Sequence, residues 1–346
     1  MTEAPVSTRA CRVCGEDAGA DPVHLREMMF GWREPFEYRR CHGCGSLSID
    51  EIPPDIGRFY PAAYYANHAR LLLTQDPPWR RTAIRALVGE RLFRAKSPLL
   101  PLARRLAPMP RQIDEVQSLI EGAGLRSFDD AVLDVGCGAM PVRLAILRKL
   151  GFRQLLGVEP FIDHDLAYQG ITVQRGQLAD VAGRYRLVAF HHSFEHVPDP
   201  IATLRQARDR LEPDGLCLIR TPIMGTALWR EYGSDWVELD APRHIVVVSL
   251  LGLERLAARA GFAVDRIAWE SGDWEFIASE QYRRDIAMTE PASWFSDPAN
   301  GAFDADQLAS YRSEARRLNA IGDAGRAAIW LRPLDRPAGS WDQPQD

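Results

Sequence analysis

The chain has 346 residues, of which 46% are hydrophobic and 26% are charged. This composition excludes collagen-like, low-complexity and wholly disordered chains, and the length allows roughly two or three domains. Forty-two basic residues against 47 acidic residues give a net charge of −5, so we expect no nucleic-acid partner. No apolar run approaches the roughly 18–20 residues of a membrane-spanning helix. The N-terminal stretch also lacks a signal-peptide pattern, and we therefore expect a cytoplasmic protein.

Four of the six cysteines form two pairs near the N-terminus. Cys11 and Cys14 make one CxxC pair, Cys41 and Cys44 make the second, and a glycine follows each pair. Two such turns bring four thiolates within tetrahedral reach of one ion, and thiolates suit zinc. Four thiolates also fill the coordination sphere, which leaves no open position for catalysis. The sequence therefore predicts a structural zinc ribbon over residues 1–50.

Residues 51–112 are expected to connect this ribbon to the rest of the chain. Prolines break 51–79 into short pieces, and the centre of that stretch is aromatic and includes Tyr64 and Tyr65. A helical pattern over 80–111 carries nine basic residues and one acid. Two interpretations of this basic stretch stay open. It is either a solvated helical face or a patch for an anionic partner, such as a nucleotide diphosphate or a lipid headgroup at a membrane surface.

Short apolar runs alternate with helical patterns from residue 113 to residue 335. Strands are predicted over 131–135, 154–158, 171–178, 186–190, 215–221, 262–269 and 326–332. Helices are predicted over 141–150, 162–169, 199–211, 249–260 and the later part of 290–325. Such alternation predicts an α/β domain with a doubly wound, mostly parallel sheet and crossover helices on both faces. Residues 336–346 are expected to form a flexible tail.

A glycine-rich turn follows the first of these strands. Glycines there let a ligand approach the backbone at the carboxyl edge of the sheet. The next strand ends in Glu159, whose carboxylate can accept hydrogen bonds from both hydroxyls of a ribose. The residues expected to bind a nucleotide-like cofactor at this edge are Asp134, Gly136, Gly138, Glu159, Gln177 and Leu178. Nicotinamide and flavin enzymes use the same geometry, so the turn alone leaves an oxidoreductase open.

This succession of strands, turns and motifs as a whole resembles the class I S-adenosylmethionine-dependent methyltransferases. Its most specific part, His192-Ser193-Phe194-Glu195-His196-Val197-Pro198-Asp199-Pro200, is similar to a stretch of the type 11, 12 and 23 branches. With a zinc ribbon and a tyrosine pair in front, the layout is similar to bacterial methyltransferases of sugar, polysaccharide and secondary-metabolite pathways. The resemblance implies a seven-stranded sheet, S-adenosylmethionine as the cofactor, and a small-molecule, sugar-nucleotide or glycan acceptor.

The resemblance also implies roles for single residues. Asp134 would order the amino-acid end of the cofactor, and Tyr64 and Tyr65 would either cover it as a lid or pack the connector against the sheet. His192 matches a position near the transferred methyl group. His244 matches the histidine proposed as the base of zinc-ribbon sugar C-methyltransferases, so His244, or failing it His192, is the expected base.

Two departures from the family pattern leave an alternative open. Arg243 stands where those sugar enzymes carry a glutamate, and it is expected to bind an anionic or carbonyl oxygen instead. Met140 stands where the family usually has glycine, which makes the loop near the methionine portion of the cofactor bulkier. The alternative function is a non-catalytic binding module, in which the ribbon and the basic helix dock a partner.

Overall fold

The fold is built on one large mixed sheet. The computed structural model describes residues 10–17, 19–61, 77–110, 113, 117, 120, 122–300 and 302–334, so Tyr64, Tyr65 and the tail 336–346 lie outside the described residues. The strands are β1 (Ala20–Arg26), β2 (Pro35–Cys41), β3 (Leu47–Ile49), β4 (Val132–Val135), β5 (Leu155–Glu159), β6 (Leu166–Tyr168), β7 (Ile171–Arg175), β8 (Tyr185–His191), β9 (Leu211–Met224), β10 (Val246–Ser249), β11 (Phe262–Trp269) and β12 (Arg326–Pro333).

Helices flank this sheet. The α-helices of the described residues are α1 (Pro78–Phe93), α2 (Leu100–Leu106), α3 (Val142–Leu150), α4 (Pro200–Asp209), α5 (Ala227–Tyr232), α6 (Leu250–Arg259), α7 (Asp273–Arg283) and α8 (Ala305–Ile321). Short 3₁₀ turns lie at Ile56–Phe59, Leu178–Asp180, Phe194–His196, Gly233–Asp235, Val237–Leu239 and Pro298–Asn300. In the part of the chain that the structure describes, every helix is too short or too polar to cross a membrane.

Seven strands form the centre of the sheet in the order β7-β5-β4-β8-β9-β12-β11. The first five run parallel, with Val132 of β4 in register with Leu155 of β5 and Leu187 of β8. β12 runs antiparallel to both β9 and β11. The predicted doubly wound, mostly parallel, seven-stranded sheet is confirmed, and its parallel strands direct their carboxyl ends toward one edge.

Both faces of the sheet are buried, as parallel strands require. Along β8, Leu187 and Ala189 pack in a core with α1 and α3, whereas Val188 and Phe190 pack on the opposite side with α4 and α6. Helix α1, which carries part of the basic stretch, therefore packs its apolar residues against one face of the sheet. Its arginines lie on the remaining surface.

The cysteine-bearing segment is joined to this sheet. β1, β2 and β3 form an antiparallel meander, and β3 pairs with β10 through Val246 and Ser48. β10 in turn continues the sheet by parallel pairing with the end of β9. Val13 and Leu47 are buried in the same core as Val247. The ribbon is thus stabilised by apolar packing against the larger domain as well as by its cysteines.

The predicted helix over 162–169 is wrong. This segment contains β6, which forms a hairpin with β7. Gln169 and Gly170 have φ angles of 47° and 86°, which suit a tight turn between two strands. The Asp165 carboxylate also accepts a hydrogen bond of 2.7 Å from the Arg175 N–H, which holds the hairpin's entry against β7. Helices α5 and α7 and strand β10 were not among the predicted elements.

Candidate active site

The glycine-rich turn lies where β4 ends, against the turn that follows β8. Gly136 and Gly138 both have a φ of 70°, a conformation that favours glycine. A Cβ on Gly136 would lie 2.6 Å from the Cβ of Ser193, and the Ser193 hydroxyl donates to the Val135 carbonyl at 2.5 Å. The absence of a side chain at Gly136 therefore allows the two turns to contact each other and to close one side of a cleft.

Glu159 lies at the end of β5, beside this turn. Its two carboxylate oxygens accept hydrogen bonds from the N–H groups of Gly138, at 2.9 Å, and Phe161, at 3.0 Å. Burial raises the pKa of Glu159, and the two backbone bonds oppose that rise. A carboxylate can accept about four hydrogen bonds, so two remain for the hydroxyls of a ribose.

Asp134 is buried in β4 with only 3% of its surface exposed. Its Oδ1 atom has no hydrogen-bond partner among the described residues. Burial raises the pKa of Asp134 to about 7, while the charge of Arg143 opposes the rise. An unpaired buried carboxylate is costly, and a cationic ligand group nearby would offset that cost. The residues present at this edge therefore fit S-adenosylmethionine, whose ribose suits Glu159 and whose ammonium group suits Asp134.

The remaining predicted cofactor residues lie at the same edge. Gln177 caps the 3₁₀ turn after β7, where its N–H donates to the Asp180 carboxylate at 2.8 Å, and Leu178 is buried beside it. The φ angle of Met140 lies outside the left-handed region, so its side chain strains no backbone at this turn. The substitution of glycine by Met140 is compatible with the turn.

His192 lies at the carboxyl end of β8, next to the glycine-rich turn. It has a φ of 55°, and 31% of its side chain is exposed. Its Nδ1 lies 3.6 Å from the Glu195 carboxylate, and its Nε2 lies 3.9 Å from Glu270, which itself accepts from Arg220. Burial lowers the pKa of His192, and the nearby Glu195 carboxylate opposes this decrease. Of the two histidines predicted as the base, His192 therefore has the more exposed side chain at the cleft.

His244 lies just before β10 and is brought to the same cluster. Only 7% of its side chain is exposed, its Nδ1 donates to the Glu238 carbonyl at 2.7 Å, and its Nε2 lies 3.9 Å from Glu195. Its ring packs on His196 with 4.8 Å between the centroids. Burial would raise the pKa of Glu195, but the nearby His192 imidazole, whose Nδ1 lies 3.6 Å away, and the charges of the neighbouring histidines hold it at about 2. The structure thus brings the two predicted histidines together around one ionised carboxylate.

Arg243 binds anionic and carbonyl oxygens, as expected, and these oxygens belong to its own chain. This guanidinium is fully buried and donates to both oxygens of Asp240, at 2.8 and 2.6 Å, and to Glu27 at 3.0 Å. A further bond of 3.3 Å reaches the Phe59 carbonyl. Arg243 therefore binds oxygens of its own chain, because a buried guanidinium needs paired carboxylates. It ties the ribbon hairpin to the loop that carries His244.

Tyr60 is a residue of the site that the sequence reasoning did not single out. Its ring stacks on Phe161 with 5.0 Å between the centroids, and its hydroxyl lies 3.0 Å from His196 Nδ1. Tyr60 thereby connects the ribose end of the cleft with the histidine cluster. The signal was available, since Tyr60 begins the aromatic centre of the connector, but the described part of that segment ends at residue 61.

The four paired cysteines converge about the ribbon's two turns. The Sγ atoms of Cys11 and Cys44 lie 3.8 Å apart, as do those of Cys14 and Cys41, and all four lie within 4.8 Å of one another. Tetrahedral zinc with Zn–S bonds of about 2.3 Å requires sulfur–sulfur distances of about 3.8 Å. All four thiols are free of disulfides, so the cluster has the chemistry and size of a structural zinc site.

Comparisons with known proteins found one family and several solved structures to which the chain is similar. The sequence profile of a family described as "methyltransferase domain" matches residues 81–267, which is more than half of the chain. The YcgJ protein from Bacillus subtilis is 16% identical, with a TM-score of 0.42 over 65% of this chain and 99% of that one. Mycolic acid cyclopropane synthase CmaA1, solved with SAH and CTAB, is 16% identical, with a TM-score of 0.40 over 75% and 99% of the two chains. The cyclopropane synthase MmaA2 from Mycobacterium tuberculosis is 16% identical, with a TM-score of 0.38 over 74% and 98%. No curated protein matches the chain.

Proposed function

Since the chain belongs to the methyltransferase domain family and is a class I S-adenosylmethionine-dependent methyltransferase, we propose that it methylates a small molecule or sugar derivative with a histidine as the base. One observation carries the proposal. The edge that fits the cofactor, with Asp134 and Glu159, directly adjoins a cluster of histidines around Glu195. β4 and β8 are neighbours in the sheet, so the turns that follow them share one cleft.

The cofactor's contribution is a methyl group on a positively charged sulfur, which any sufficiently nucleophilic neighbour can accept. The protein's part is to align the acceptor and to remove its proton. With the cofactor held by Asp134 and Glu159, the acceptor's nucleophilic atom would form the new bond to the methyl carbon, and the electron pair of the sulfur–methyl bond would stay on sulfur. A proton from the acceptor then passes to a histidine nitrogen, which keeps the acceptor's charge balanced.

Of the two candidate bases, His192 is the better placed. Its side chain is partly exposed at the cleft and adjoins the glycine-rich turn through Ser193. His244 is buried behind it, and its Nδ1 proton is held by the Glu238 carbonyl. We therefore propose His192 as the base and His244 as a buried neighbour that packs against His196 beside the Glu195 carboxylate.

The first test separates cofactor binding from chemistry. We expect S-adenosylmethionine and S-adenosylhomocysteine each to raise the melting temperature saturably, because a ligand of the native state stabilises it. Glu159→Gln should weaken both ligands at least about tenfold, since an amide supplies fewer acceptors for the ribose and for the two backbone N–H groups. Glu254→Gln, on the exposed side of α6, is the matched control and should leave both shifts unchanged.

The second test concerns the base. Methyl transfer is screened against nucleotide sugars and small hydroxylated metabolites, and the active acceptor is then used with His192→Asn. A loss of about 10²-fold or more in kcat with unchanged cofactor affinity is expected for a general base. The proposal fails if folded, zinc-loaded protein shows no shift with either cofactor form. That outcome would favour the non-catalytic binding module.

A further inference from the structure

We infer that Glu195, His196 and His244 form a binding site for a divalent transition-metal ion beside the cofactor cleft, separate from the four-cysteine cluster of the ribbon. The donor atoms of the three side chains lie within 4.8 Å of one another. They come from two separate segments, the 3₁₀ turn Phe194–His196 and the residue preceding β10 by two positions. Two imidazoles and one carboxylate form a donor set that suits zinc, manganese or iron(II).

The buried carboxylate of Glu195 is a second, independent observation that indicates cation binding. Its side chain is 1% exposed, and Oε2 accepts a hydrogen bond of 3.0 Å from the Thr221 hydroxyl. Oε1 has no hydrogen-bond partner among the described residues, although it is fully buried. It faces His244 Nε2 at 3.9 Å, which is beyond hydrogen-bond length. A buried carboxylate oxygen left in this state is costly, and a cation at this point would compensate it.

The two imidazoles are oriented as metal ligands are. His244 Nδ1 lies 2.7 Å from the Glu238 carbonyl, and His196 Nδ1 lies 2.8 Å from the Arg243 carbonyl. A carbonyl oxygen can only accept, so each ring carries its proton on Nδ1 and leaves the lone pair on Nε2. Metal-bound histidines usually fix their second nitrogen by donation to such a carbonyl or carboxylate. Both rings are thus prepared to offer a lone pair to one ion.

The donor atoms are spaced somewhat more widely than in an occupied site. Bonds of about 2.0–2.2 Å place neighbouring ligand atoms roughly 3–3.6 Å apart in tetrahedral or octahedral geometry. Glu195 Oε1 and His244 Nε2 are 3.9 Å apart, and the set including His196 lies within 4.8 Å, so the side chains would move closer together around an ion. Asp240 lies 4.0 Å from the same His244 nitrogen, but both of its oxygens are occupied by Arg243. Three protein ligands would leave at least one position open.

The open position gives the site a role. An acceptor oxygen bound to the ion would be fixed in place, and its pKa would fall, as metal-bound water shows. His192, whose Nδ1 lies 3.6 Å from Glu195 Oε1, would then receive the proton from the bound acceptor. This role rests on the proposed function, whereas the binding of the ion itself does not. It also narrows the acceptor class to hydroxyl-bearing compounds that can ligate a metal.

The test measures binding of Mn²⁺ to the full chain with its ribbon already loaded with zinc. Loss of the free Mn²⁺ signal in electron paramagnetic resonance should report one saturable site. Glu195→Gln, which preserves side-chain shape, and His244→Asn should each weaken Mn²⁺ binding at least tenfold. Glu270→Gln is the matched control, because it removes an equal charge 3.9 Å from His192 without belonging to the ligand set. It should bind Mn²⁺ as the parent protein does.

Cofactor binding, measured on the same samples by thermal shift with S-adenosylhomocysteine, keeps the two proposals distinct. A variant that loses Mn²⁺ but keeps the cofactor shift supports the metal site and shows that the variant is folded. Absence of Mn²⁺ binding at millimolar concentration in parent protein that still binds cofactor overturns the metal site alone. Undiminished binding in Glu195→Gln and His244→Asn overturns it as well, since the ion then lies elsewhere.

Discussion

Replacement of Asp134 by asparagine should change the pH dependence of stability, because the fold holds this carboxylate in an unfavourable environment. Burial raises its pKa from 3.8 to about 7. One pKa unit corresponds to about 1.4 kcal/mol, so a rise of about three units costs about 4 kcal/mol of folding free energy when the group is ionised. Asp134 is deeply buried, so little of this cost is screened by solvent.

The sign of the effect follows from proton binding. Below pH 3.8 both the folded and the unfolded states are protonated, and the cost is absent. Between about pH 4 and pH 7 the folded state retains a proton that the unfolded state has lost, so the free energy of unfolding falls as pH rises. Above pH 7 the full cost is present. Asparagine does not titrate, so the stability of Asp134→Asn relative to the parent should rise over this window, by about 2 kcal/mol between pH 5.5 and pH 8.

Urea unfolding at a series of pH values, followed by tryptophan fluorescence, measures this difference. Only the pH dependence of the difference in unfolding free energy between variant and parent is diagnostic, because burying an amide in place of the carboxyl group changes that difference by the same amount at every pH. Glu254→Gln, at an exposed position of α6, is the control for replacing a carboxylate by an amide. A difference for Asp134→Asn that is flat, or that shrinks as pH rises, would refute the argument.

The same variant should bind S-adenosylmethionine more weakly, at least about tenfold at pH 8 by calorimetry. An ionised Asp134 offers the cofactor's ammonium group a charged partner, and asparagine offers only a dipole. A gain in stability together with a loss in affinity is the expected signature of a residue kept for binding. Equal affinity would remove Asp134 from the cofactor site.

The central sheet and the glycine-rich turn after β4 could be predicted from the sequence because they depend on local patterns. Short apolar runs predicted the seven central strands, and two glycines, which have positive φ in the structure, predicted the turn after β4. The helix predicted over 162–169 failed because a turn at Gln169 and Gly170 outweighed a weak apolar periodicity. Helix α7 was missed because its buried face contains Glu275 and Gln281, whose polar character hides the periodicity.

The arrangement of charged groups could not be predicted, since it depends on contacts between distant segments. Arg243 pairs with Glu27, which lies 216 positions earlier in the chain. The convergence of His244 on Glu195 depends in the same way on β10 lying beside β9. A sequence pattern indicates which residue types are present near a turn, but pairing of strands decides which of them meet. The partners of Arg243 could therefore not be identified, whereas the clustering of the four cysteines was predictable from their spacing alone.

Two further predictions concern the ribbon. Cys44→Ser, made together with Glu195→Gln so that the Glu195–His196–His244 site is also disabled, should reduce bound zinc, measured by elemental analysis, to a small fraction of an ion per chain, because the remaining three thiolates leave the tetrahedral site incomplete. Glu195→Gln alone should retain one ion, and one tightly bound ion in the double variant would contradict the four-cysteine site. Glu27→Gln should lower the free energy of unfolding by about 3 kcal/mol, since it breaks a buried pair with Arg243. Urea unfolding measures this loss, with Glu37→Gln as the control, because the Glu37 side chain of β2 is exposed. Because Arg243 precedes His244, the same change should also loosen the histidine cluster. A Glu27→Gln variant as stable as the control would contradict this prediction and show that Asp240 alone neutralises the Arg243 guanidinium.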